Sequence, residues 1–380
     1  MAEDISGRLA HHGDAPAGAA ASHSASTGLV IAGDIGGTSS RLQLATLDGP
    51  VLAEATGPGA NLRSSGADAF DTVLATTREV LDRGREALRA GQESAAGGGS
   101  AAGPDGAAGG DRAAGELDPA RDVVAVALGI SGAGPARAAE VRCEVGERLE
   151  RLGLPAERLR ITDDLHTAFL TGGVGDDGLL VLAGTGAVAV RFRDREAVAR
   201  RDGMGWLLGD IGSAVWLGRR TLEAVAADLD ERGPRTRLTD EVGALLDLDL
   251  RHGVSPPSTT GDPRQDLIRA LDEQLPAGAP AALGRFAPVP GRIPEDPVAR
   301  SILDTALAHV LETVQALDPQ AVLPVVLAGS VLATAGPLRD EVRAGLHAQG
   351  RTVRTATTGL PGALLLAREH AARMASDPRR

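Results

Sequence analysis

Residues 30–49 read VIAGDIGGTSSRLQLATLDG, an apolar run that meets an aspartate and a Gly-Gly-Thr turn. Residues 29–31 form a short apolar run that leads to Asp34. After a Gly-Gly-Thr turn, Leu42 and Leu44 alternate with more polar residues, which is the period near two expected of a strand. The stretch therefore predicts a β-hairpin with an aspartate where its first strand ends.

The turn of this hairpin, Gly36-Gly37-Thr38, contains more glycine than a hairpin usually needs. Glycine serves a turn where φ is positive or where something approaches the backbone closely. One interpretation is a tight turn with an incidental carboxylate. The other is a phosphate loop, in which the amides of the turn face an anion and Asp34 holds a hydrated metal ion. The turn alone leaves both interpretations open.

Length and composition restrict the class of protein. At 380 residues and 43% hydrophobic content, the chain is long enough for two domains with full cores. A net charge of -12 argues against non-specific nucleic-acid binding, and the sequence lacks the run of about 18 charge-free apolar residues that spans a membrane. The single cysteine, Cys143, excludes an internal disulfide and a four-thiolate cluster within one chain. Together these features predict a cytoplasmic protein.

Lysine is absent from the chain. Its absence excludes Schiff-base chemistry, a G-x-x-x-x-G-K-[ST] phosphate loop and the lysine of protein-kinase folds. Any phosphate chemistry must therefore rely on backbone amides, a metal ion, arginine or hydroxyl groups.

A second unit, GLLVLAGTGAVAVRF at 178–192, repeats the arrangement of apolar strand, glycine turn and apolar strand. Mixed strands and helices follow both units, which is typical of an α/β protein built from two related domains. We predict an N-terminal domain over 28–172 and a C-terminal domain over 173–380. The last helix, at about 361–375, could pack back on the N-terminal domain.

Two segments are too poor in large apolar side chains to pack. Residues 1–27 consist mainly of Ala, Ser, Gly and His and are predicted to be a disordered tail. Residues 91–118, GQESAAGGGSAAGPDGAAGGDRAAGELD, are predicted to form a long flexible loop inside the N-terminal domain.

Apolar periodicity predicts the remaining elements. Strands are expected at 123–130 and about 158–162, and a buried strand, AVLPVVLAG, ends at Gly329. Besides the last helix and one opening near Asp164, the predicted helices cover about 135–152, 212–229, 237–248, 262–273 and 297–316.

Two adjacent acids, Asp163 and Asp164, follow a short strand in RITDDLHTAF at 160–169. A carboxylate at this strand end would lie near the glycine turns if all of them share one sheet edge. Repulsion between two acids in one cleft would help keep one of them a competent base. The alternative is helix capping, for which Asp163 or Thr162 is suited.

Asp210 stands among glycines in RRDGMGWLLGDIGSAVWLG at 200–218, just before a predicted helix. A carboxylate accepts two hydrogen bonds and therefore suits the hydroxyl groups of a sugar. Helix capping is again the alternative. Trp206 and Trp216 are expected in the core or in a cleft wall.

The stretch VVLAGSVLATAG at 325–336 joins the buried strand to a helix start rich in small residues. Gly329 and Ser330 there would let a flat base lie against the backbone. The two glycine turns, if they face each other across a cleft, would clamp one polyphosphate with amides and threonine hydroxyls.

With these motifs in this order, the chain resembles the N-acetylglucosamine kinase branch of the BadF/BadG/BcrA/BcrD ATPases, within the actin/hexokinase/Hsp70 superfamily. The motifs are DIGGTSSR at 34–41, LAGTGA at 182–187, GMGWLLGDIGS at 203–213 and LAGSV at 327–331. The resemblance runs from about residue 28 to 375. It implies two actin-like (ribonuclease H-like) domains with a nucleotide and sugar cleft between them.

The resemblance also implies an ATP-dependent kinase that uses Mg²⁺ and phosphorylates the 6-hydroxyl of an amino sugar, first of all N-acetylglucosamine. Asp34 corresponds to the Mg²⁺-water site. Asp164 with Ala168 fits the [TN]-D-x-x-x-A pattern of the catalytic base, but Asp163 takes the Thr/Asn place, so the choice between the two acids stays open. The other implied residues are Gly36, Gly37, Thr38, Gly184, Thr185 and Gly186 for phosphates, Asn61, Ser131, Gly203, Asp210 and Ala214 for the sugar, and Gly329, Ser330, Gly362 and Ala363 for adenosine.

Two positions depart from the family pattern. Family members usually carry a Gly-Trp-Gly run and often Asp-Glu-Gly-Ser, whereas this chain has GMGW at 203–206 and DIGS at 210–213. Because Ile211 removes a carboxylate near the pocket, glucosamine or another hexose stays open as the acceptor.

Other functions remain alternatives to a kinase. A non-catalytic sugar or nucleotide sensor on the same fold is one, although Asp34, Asp164 and Asp210 together favour an enzyme. Dehydratase-activating ATPases need two cysteines per chain and ROK kinases normally carry a cysteine-rich zinc site, so a single cysteine argues against both. We expect sugar and ATP as partners, with no nucleic acid and no membrane. The oligomeric state stays open between a monomer and the homodimer that relatives commonly form.

Overall fold

The computed structural model describes residues 28–60, 68–96, 117–134, 136–251, 261–276 and 280–376. These residues form two five-stranded mixed sheets with helices packed around them.

The first sheet combines an antiparallel three-stranded meander with two parallel strands. Its strands are β1 (Leu29–Ile35), β2 (Ser39–Thr46), β3 (Val51–Pro58), β4 (Val123–Ile130) and β5 (Leu159–Thr162), in the spatial order β3-β2-β1-β4-β5. Strand β1 is antiparallel to β2 and parallel to β4, and β4 is parallel to β5. The hairpin predicted from residues 30–49 is confirmed.

The second sheet repeats this arrangement. Its strands are β6 (Gly178–Ala183), β7 (Ala187–Arg193), β8 (Glu196–Asp202), β9 (Val325–Ala328) and β10 (Val353–Ala356), in the order β10-β9-β6-β7-β8. Strand β6 is antiparallel to β7 and parallel to β9, as β1 is to β2 and β4. The prediction of two related α/β units is therefore confirmed.

Helices connect and cover the two sheets. They are α1 (Asp68–Ala96), α2 (Pro119–Asp122), α3 (Ala138–Glu150), α4 (Asp164–Thr171), α5 (Ala214–Leu229), α6 (Leu238–Leu246), α7 (Pro263–Gln274), α8 (Val289–Arg292), α9 (Pro297–Leu317), α10 (Gly329–Ala333), α11 (Pro337–Ala348) and α12 (Leu360–Ala375). Asp163 caps α4, Ser213 caps α5 and Asp296 caps α9, each by accepting a hydrogen bond from an amide in the first turn. Within the described ranges, every helix is too short or too polar to cross a lipid bilayer.

One hydrophobic cluster joins the two sheets. Val30 from the first sheet and Leu180 and Val326 from the second are fully buried in it. Phe169 of α4 stacks on Phe192 of β7 with ring centroids 4.2 Å apart. Helix α12 packs on β1, β4 and α4, so the last helix covers the first sheet.

Parallel pairing gathers the strand ends at one edge of each sheet. In the first sheet Asp34 is opposite Gly129, which is opposite Thr162. In the second sheet Leu182 is opposite Ala328. The residues that follow β1, β4 and β5 therefore lie side by side, as do those that follow β6 and β9.

The described ends of the segment 91–118, predicted as a loop, belong to a helix and to the core. Helix α1 continues to Ala96, and Leu117 is only 3% exposed in the core. Residues 97–116 lie outside the described residues, as does the predicted tail at 1–27.

The described elements without a counterpart among the predicted ones include the strands β3, β8 and β10 and the helices α2, α8 and α11. Strand β8 has the sequence EAVARRD and is exposed along almost its whole length, so it lacks the apolar alternation that marks a strand. Strand β10 has only four residues and one of them is Arg354, which leaves too short a pattern to detect.

Candidate active site

Asp34 lies at the carboxyl end of β1 and is held by the loop before α12. Its Oδ2 accepts hydrogen bonds from Thr358 Oγ1 at 2.9 Å and from the Gly359 amide at 2.6 Å. A Cβ on Gly359 would lie 2.9 Å from Asp34 Oδ1, so a side chain there would push the loop away from the carboxylate. These contacts fix the carboxylate at the sheet edge.

The two acids at the start of α4 have different environments. Asp163 is the N-cap, and its Oδ1 accepts a hydrogen bond from the His166 amide at 2.8 Å. Asp164 is the first residue of the helix, and its carboxylate accepts a hydrogen bond from the Ser131 hydroxyl. The capping interpretation therefore accounts for Asp163 and leaves Asp164 free of that role.

Asp164 has a strongly perturbed pKa. Burial, reinforced by the negative charges of Asp163 and Asp34, raises the pKa of Asp164 to about 7, against the lowering effect of the Ser131 hydrogen bond. The charge interaction also places Asp34 and Asp164 in one neighbourhood. A carboxyl group that titrates near neutral pH is suited to accept a proton from a substrate hydroxyl.

The first glycine turn is stabilised from within. The Gly36 amide donates to the Ser39 carbonyl at 3.0 Å, and the Gly36 carbonyl accepts from the Ala60 amide at 3.0 Å. Gly37 and Thr38 are exposed. The Gly36 amide, predicted to face an anion, is thus used inside the turn, which leaves Gly37 and Thr38 as its accessible residues.

The second glycine turn has a similar internal bond. The Gly184 amide donates to the Gly186 carbonyl at 2.9 Å, and the Gly184 carbonyl accepts from the Ala214 amide at 2.8 Å. The amides of Gly184 and Ala214 are therefore already paired, whereas Thr185, at the tip of the turn, is partly exposed.

Gly329 and Ser330 lie directly against this second turn. Gly329 has a φ of +80°, and a Cβ there would overlap the Ala183 carbonyl and lie 2.8 Å from the Gly184 nitrogen. A Cβ on Gly184 would in turn lie 3.7 Å from the Ser330 nitrogen. Only glycine at 329 permits this approach, and the structure brings these predicted phosphate and adenosine residues together.

Asp210 lies on the loop between β8 and α5 and does not cap α5, because Ser213 does. It has a φ of +56°, in the left-handed region that non-glycine residues seldom adopt. Its Oδ1 accepts a hydrogen bond from the Gly205 amide at 3.2 Å, and a Cβ on Gly186 would lie 2.8 Å from its Oδ2. Burial, helped by the charge of Asp202, raises the pKa of Asp210 above that of an ordinary aspartate.

The remaining predicted residues have varied positions. Gly203 has a φ of +72° and packs against the Arg200 guanidinium. A Cβ on Gly362 would overlap the Thr167 carbonyl, and Ala363 is completely buried. The structure therefore accounts for Gly362 and Ala363 by the packing of α12 on α4, where adenosine was expected. Asn61 lies outside the described residues.

Four residues of the site were not identified from the sequence: Asp202, His309, Thr358 and Gly359. Thr358 and Gly359 hold Asp34, and Asp202 bonds to the loop of Asp210 and to His309. The run TTGLPGA at 357–363 is a recognisable helix start that could have pointed to the first pair. Asp202 stands at the end of a charged strand, where an acid gives no distinctive signal.

The residues present fit a water-mediated Mg²⁺ site better than a protein cage. The described part of the chain has no group of three or more His, Cys, Asp or Glu side chains placed to hold a metal ion. Mg²⁺ usually keeps several waters and binds through one or two carboxylates together with substrate phosphates. Asp34, fixed beside the exposed Gly37-Thr38 turn and near Asp164, offers such a carboxylate.

The repeated strand order, with glycine turns and acids at the carboxyl edges of both sheets, defines a two-domain α/β protein of the actin-like class. Similarity at the level of sequence then specifies the family. The model of the BadF/BadG/BcrA/BcrD ATPase family matches residues 33–367, and the chain belongs to this family.

Solved structures share this fold. A protein from Chromobacterium violaceum, provisionally named N-acetylglucosamine kinase, has a TM-score of 0.62 at 26% identity and covers 89% of this chain and 98% of that one. A provisionally named N-acetylglucosamine kinase from Porphyromonas gingivalis has a TM-score of 0.59 at 19% identity, with 91% and 99% covered, and shows the fold alone.

Curated relatives match over shorter stretches. The N-acetylmuramic acid/N-acetylglucosamine kinase of Clostridium acetobutylicum is 24% identical over 58% of this chain. The N-acetyl-D-glucosamine kinase of Dictyostelium discoideum is 40% identical over 19% of it. The matched regions span 60% and 22% of the lengths of these two relatives.

Proposed function

We propose that the protein is an ATP-dependent sugar kinase that phosphorylates the 6-hydroxyl of an amino sugar, N-acetylglucosamine in the first place. The observation that carries this proposal is Asp164. Its pKa of about 7, its hydrogen bond from Ser131 and its proximity to Asp34 suit a base beside a phosphate site.

In this mechanism Asp164 accepts the proton of the attacking hydroxyl. With a pKa of about 7, the carboxylate is a stronger base than an ordinary aspartate and is still largely ionised just above neutral pH. Ser131 orients it by hydrogen bonding. Such a base typically contributes on the order of a hundred to ten thousand fold to the rate.

The phosphates would lie between the two glycine turns. Gly37, Thr38, Thr185 and Gly186 are the candidates to contact them, since the amides of Gly36 and Gly184 are paired within their turns. A Mg²⁺ ion held through water near Asp34 would neutralise phosphate charge, a role that lysine plays in other kinases. Gly329 and Ser330 would support the adenosine.

Asp210 is the proposed sugar-binding carboxylate. It has a raised pKa and a left-handed backbone, and both features are more typical of a ligand-binding site than of a helix cap. The names of the similar proteins support an amino sugar, while Ile211 keeps glucosamine or another hexose as alternative acceptors. Asn61, Gly203 and Ala214 complete the proposed pocket.

A non-catalytic sensor is the second candidate. A carboxyl group whose pKa reaches about 7 through burial costs folding free energy at neutral pH, and a sensor gains nothing from that cost. The enzyme interpretation is therefore preferred. We further propose domains at 28–172 and 173–380 that close over the ligands and exclude water, in a cytoplasmic enzyme that draws on ATP.

The test is Mg-ATP-dependent ADP release by the purified protein with N-acetylglucosamine, glucosamine, glucose, N-acetylmannosamine or no sugar. The proposal predicts strong stimulation by one amino sugar and formation of its 6-phosphate, identified by nuclear magnetic resonance. Bound ATP with no stimulation by any of the sugars would instead favour the sensor.

A further inference from the structure

Asp202, the last residue of β8, is placed to hold the loop that carries Asp210. Its Oδ1 accepts a hydrogen bond from the Asp210 amide at 2.7 Å, and its Oδ2 accepts one from the Ile211 amide at 3.0 Å. The side chain is only 8% exposed. A Cβ on Gly209 would overlap Asp202 Oδ1, so the loop closes tightly around this carboxylate.

His309 links the same carboxylate to helix α9. Its Nε2 lies 3.0 Å from Asp202 Oδ2, within hydrogen-bond distance. His309 belongs to α9, whose residues Ala306 and Val310 are buried in the core of the second sheet. Asp202 and His309 therefore connect the loop of Asp210 to α9, a helix distant from this loop in the sequence.

The backbone of the loop needs such support. Asp202 and Asp210 both have left-handed φ angles, +57° and +56°. Non-glycine residues persist in this region only where the surrounding contacts determine them, and such strain is common at functional sites. The hydrogen bonds that the amides of Asp210 and Ile211 donate to the Asp202 carboxylate hold Asp210 in this conformation.

The charge of Asp202 also acts on Asp210. Burial alone would raise the pKa of Asp202, but hydrogen bonds from the amides of Asp210 and Ile211 and from His309 outweigh it and lower the pKa. Asp202 is thus ionised at neutral pH, and its charge contributes to the raised pKa of Asp210.

We propose that Asp202 is a positioning residue that sets the sugar affinity of this protein by fixing the backbone of Asp210, with His309 as its anchor. The inference rests on the proposed function, because it assigns Asp210 to the sugar. The hydrogen bonds of Asp202 go to the amides of Asp210 and Ile211 and to His309, so its loss should act on sugar binding before it acts on turnover.

The test separates sugar affinity from turnover. Asp202→Ala should raise the sugar KM about tenfold or more, while kcat and the Kd for ATP change less than about threefold, because the loop is displaced but the base and phosphate turns are intact. His309→Leu should raise the sugar KM to a smaller extent. His309→Gln, which keeps a side-chain donor, should restore it.

Asp296→Ala is the matched control, because Asp296 is likewise a nearly buried aspartate, 6% exposed, whose carboxylate accepts amide hydrogen bonds, but at the start of α9. It should lower Tm by a similar amount without changing the sugar KM. An unchanged KM in Asp202→Ala, or an equal rise in Asp296→Ala, would overturn the inference alone. Absence of sugar-dependent ADP release in the unsubstituted protein would overturn the proposed function and this inference with it.

Discussion

Two neighbouring aspartates show how position within a turn determines chemistry. The carboxylate of Asp163 accepts a hydrogen bond from the His166 amide, whereas Asp164, one residue later, lies beside Ser131 and near Asp34. The sequence identified the pair but could not choose between them, because both acids suit a helix start. The structure distinguishes them, because Asp163 caps α4, and the strand register puts the end of β5 beside the ends of β4 and β1.

The raised pKa of Asp164 predicts the pH dependence of the reaction. Protonated Asp164 cannot accept a proton, so kcat/KM for the sugar should fall about tenfold per pH unit below pH about 7 and level off above it. Ser131→Ala removes a donor that lowers this pKa and should move the fall to higher pH. A kcat/KM that is constant from about pH 5.5 to pH 8 would contradict the assignment.

At the scale of elements, the long buried ones were predictable and the edges were not. The predicted strand at 123–130 has the bounds of β4, and the helix predicted at 297–316 differs from α9 by one residue. Strand β8 was not predicted, because its side chains are exposed on both faces and its sequence therefore lacks the alternation of apolar and polar residues. Asp202 was missed with it, since its role depends on a turn between β8 and α5.

Helix α12 provides a test of one predicted role. Gly362→Ala should destabilise the fold by about 1–3 kcal/mol, because the new Cβ would overlap the Thr167 carbonyl of α4. Gly336→Ala is the control, since a Cβ there has no neighbour within 4 Å, and it should change stability by less than about 0.5 kcal/mol. Denaturant titration measures both.

The same pair of variants tests whether Gly362 contacts adenosine. If its role is packing alone, the Kd for ATP of folded Gly362→Ala should stay within about threefold of that of the unsubstituted protein. A large loss of ATP binding at full folding would return Gly362 to the adenosine site.

At the scale of the whole molecule, the repeated strand order gives each of the two sheets an edge with a glycine turn. The glycine motifs were sufficient to predict this duplication, because a strand, a turn and a second strand occur twice in the sequence. The core that joins the two sheets could not be predicted from the sequence. Its stacked rings, Phe169 of α4 and Phe192 of β7, belong to different halves of the chain, and no local pattern shows that they meet.

This stack predicts a large contribution of Phe192 to the stability of the molecule. Phe192→Ala should lower the free energy of unfolding by about 3–5 kcal/mol, because both rings are almost fully buried. Val198→Ala, on the 51% exposed side chain of β8, is the control and should have little effect. Equal, small effects of the two substitutions would show that this core does not join the two sheets as described.

The most direct measurement of the central claim compares Asp164→Asn with Asp163→Asn in Mg-ATP-dependent phosphorylation of N-acetylglucosamine. Asp164→Asn should lower kcat by about a hundredfold or more while ATP still binds, because the amide cannot accept the proton. Asp163→Asn should keep most of the turnover and most of the stability, because an asparagine can still cap α4. Normal turnover in Asp164→Asn, or its loss in Asp163→Asn alone, would contradict the account.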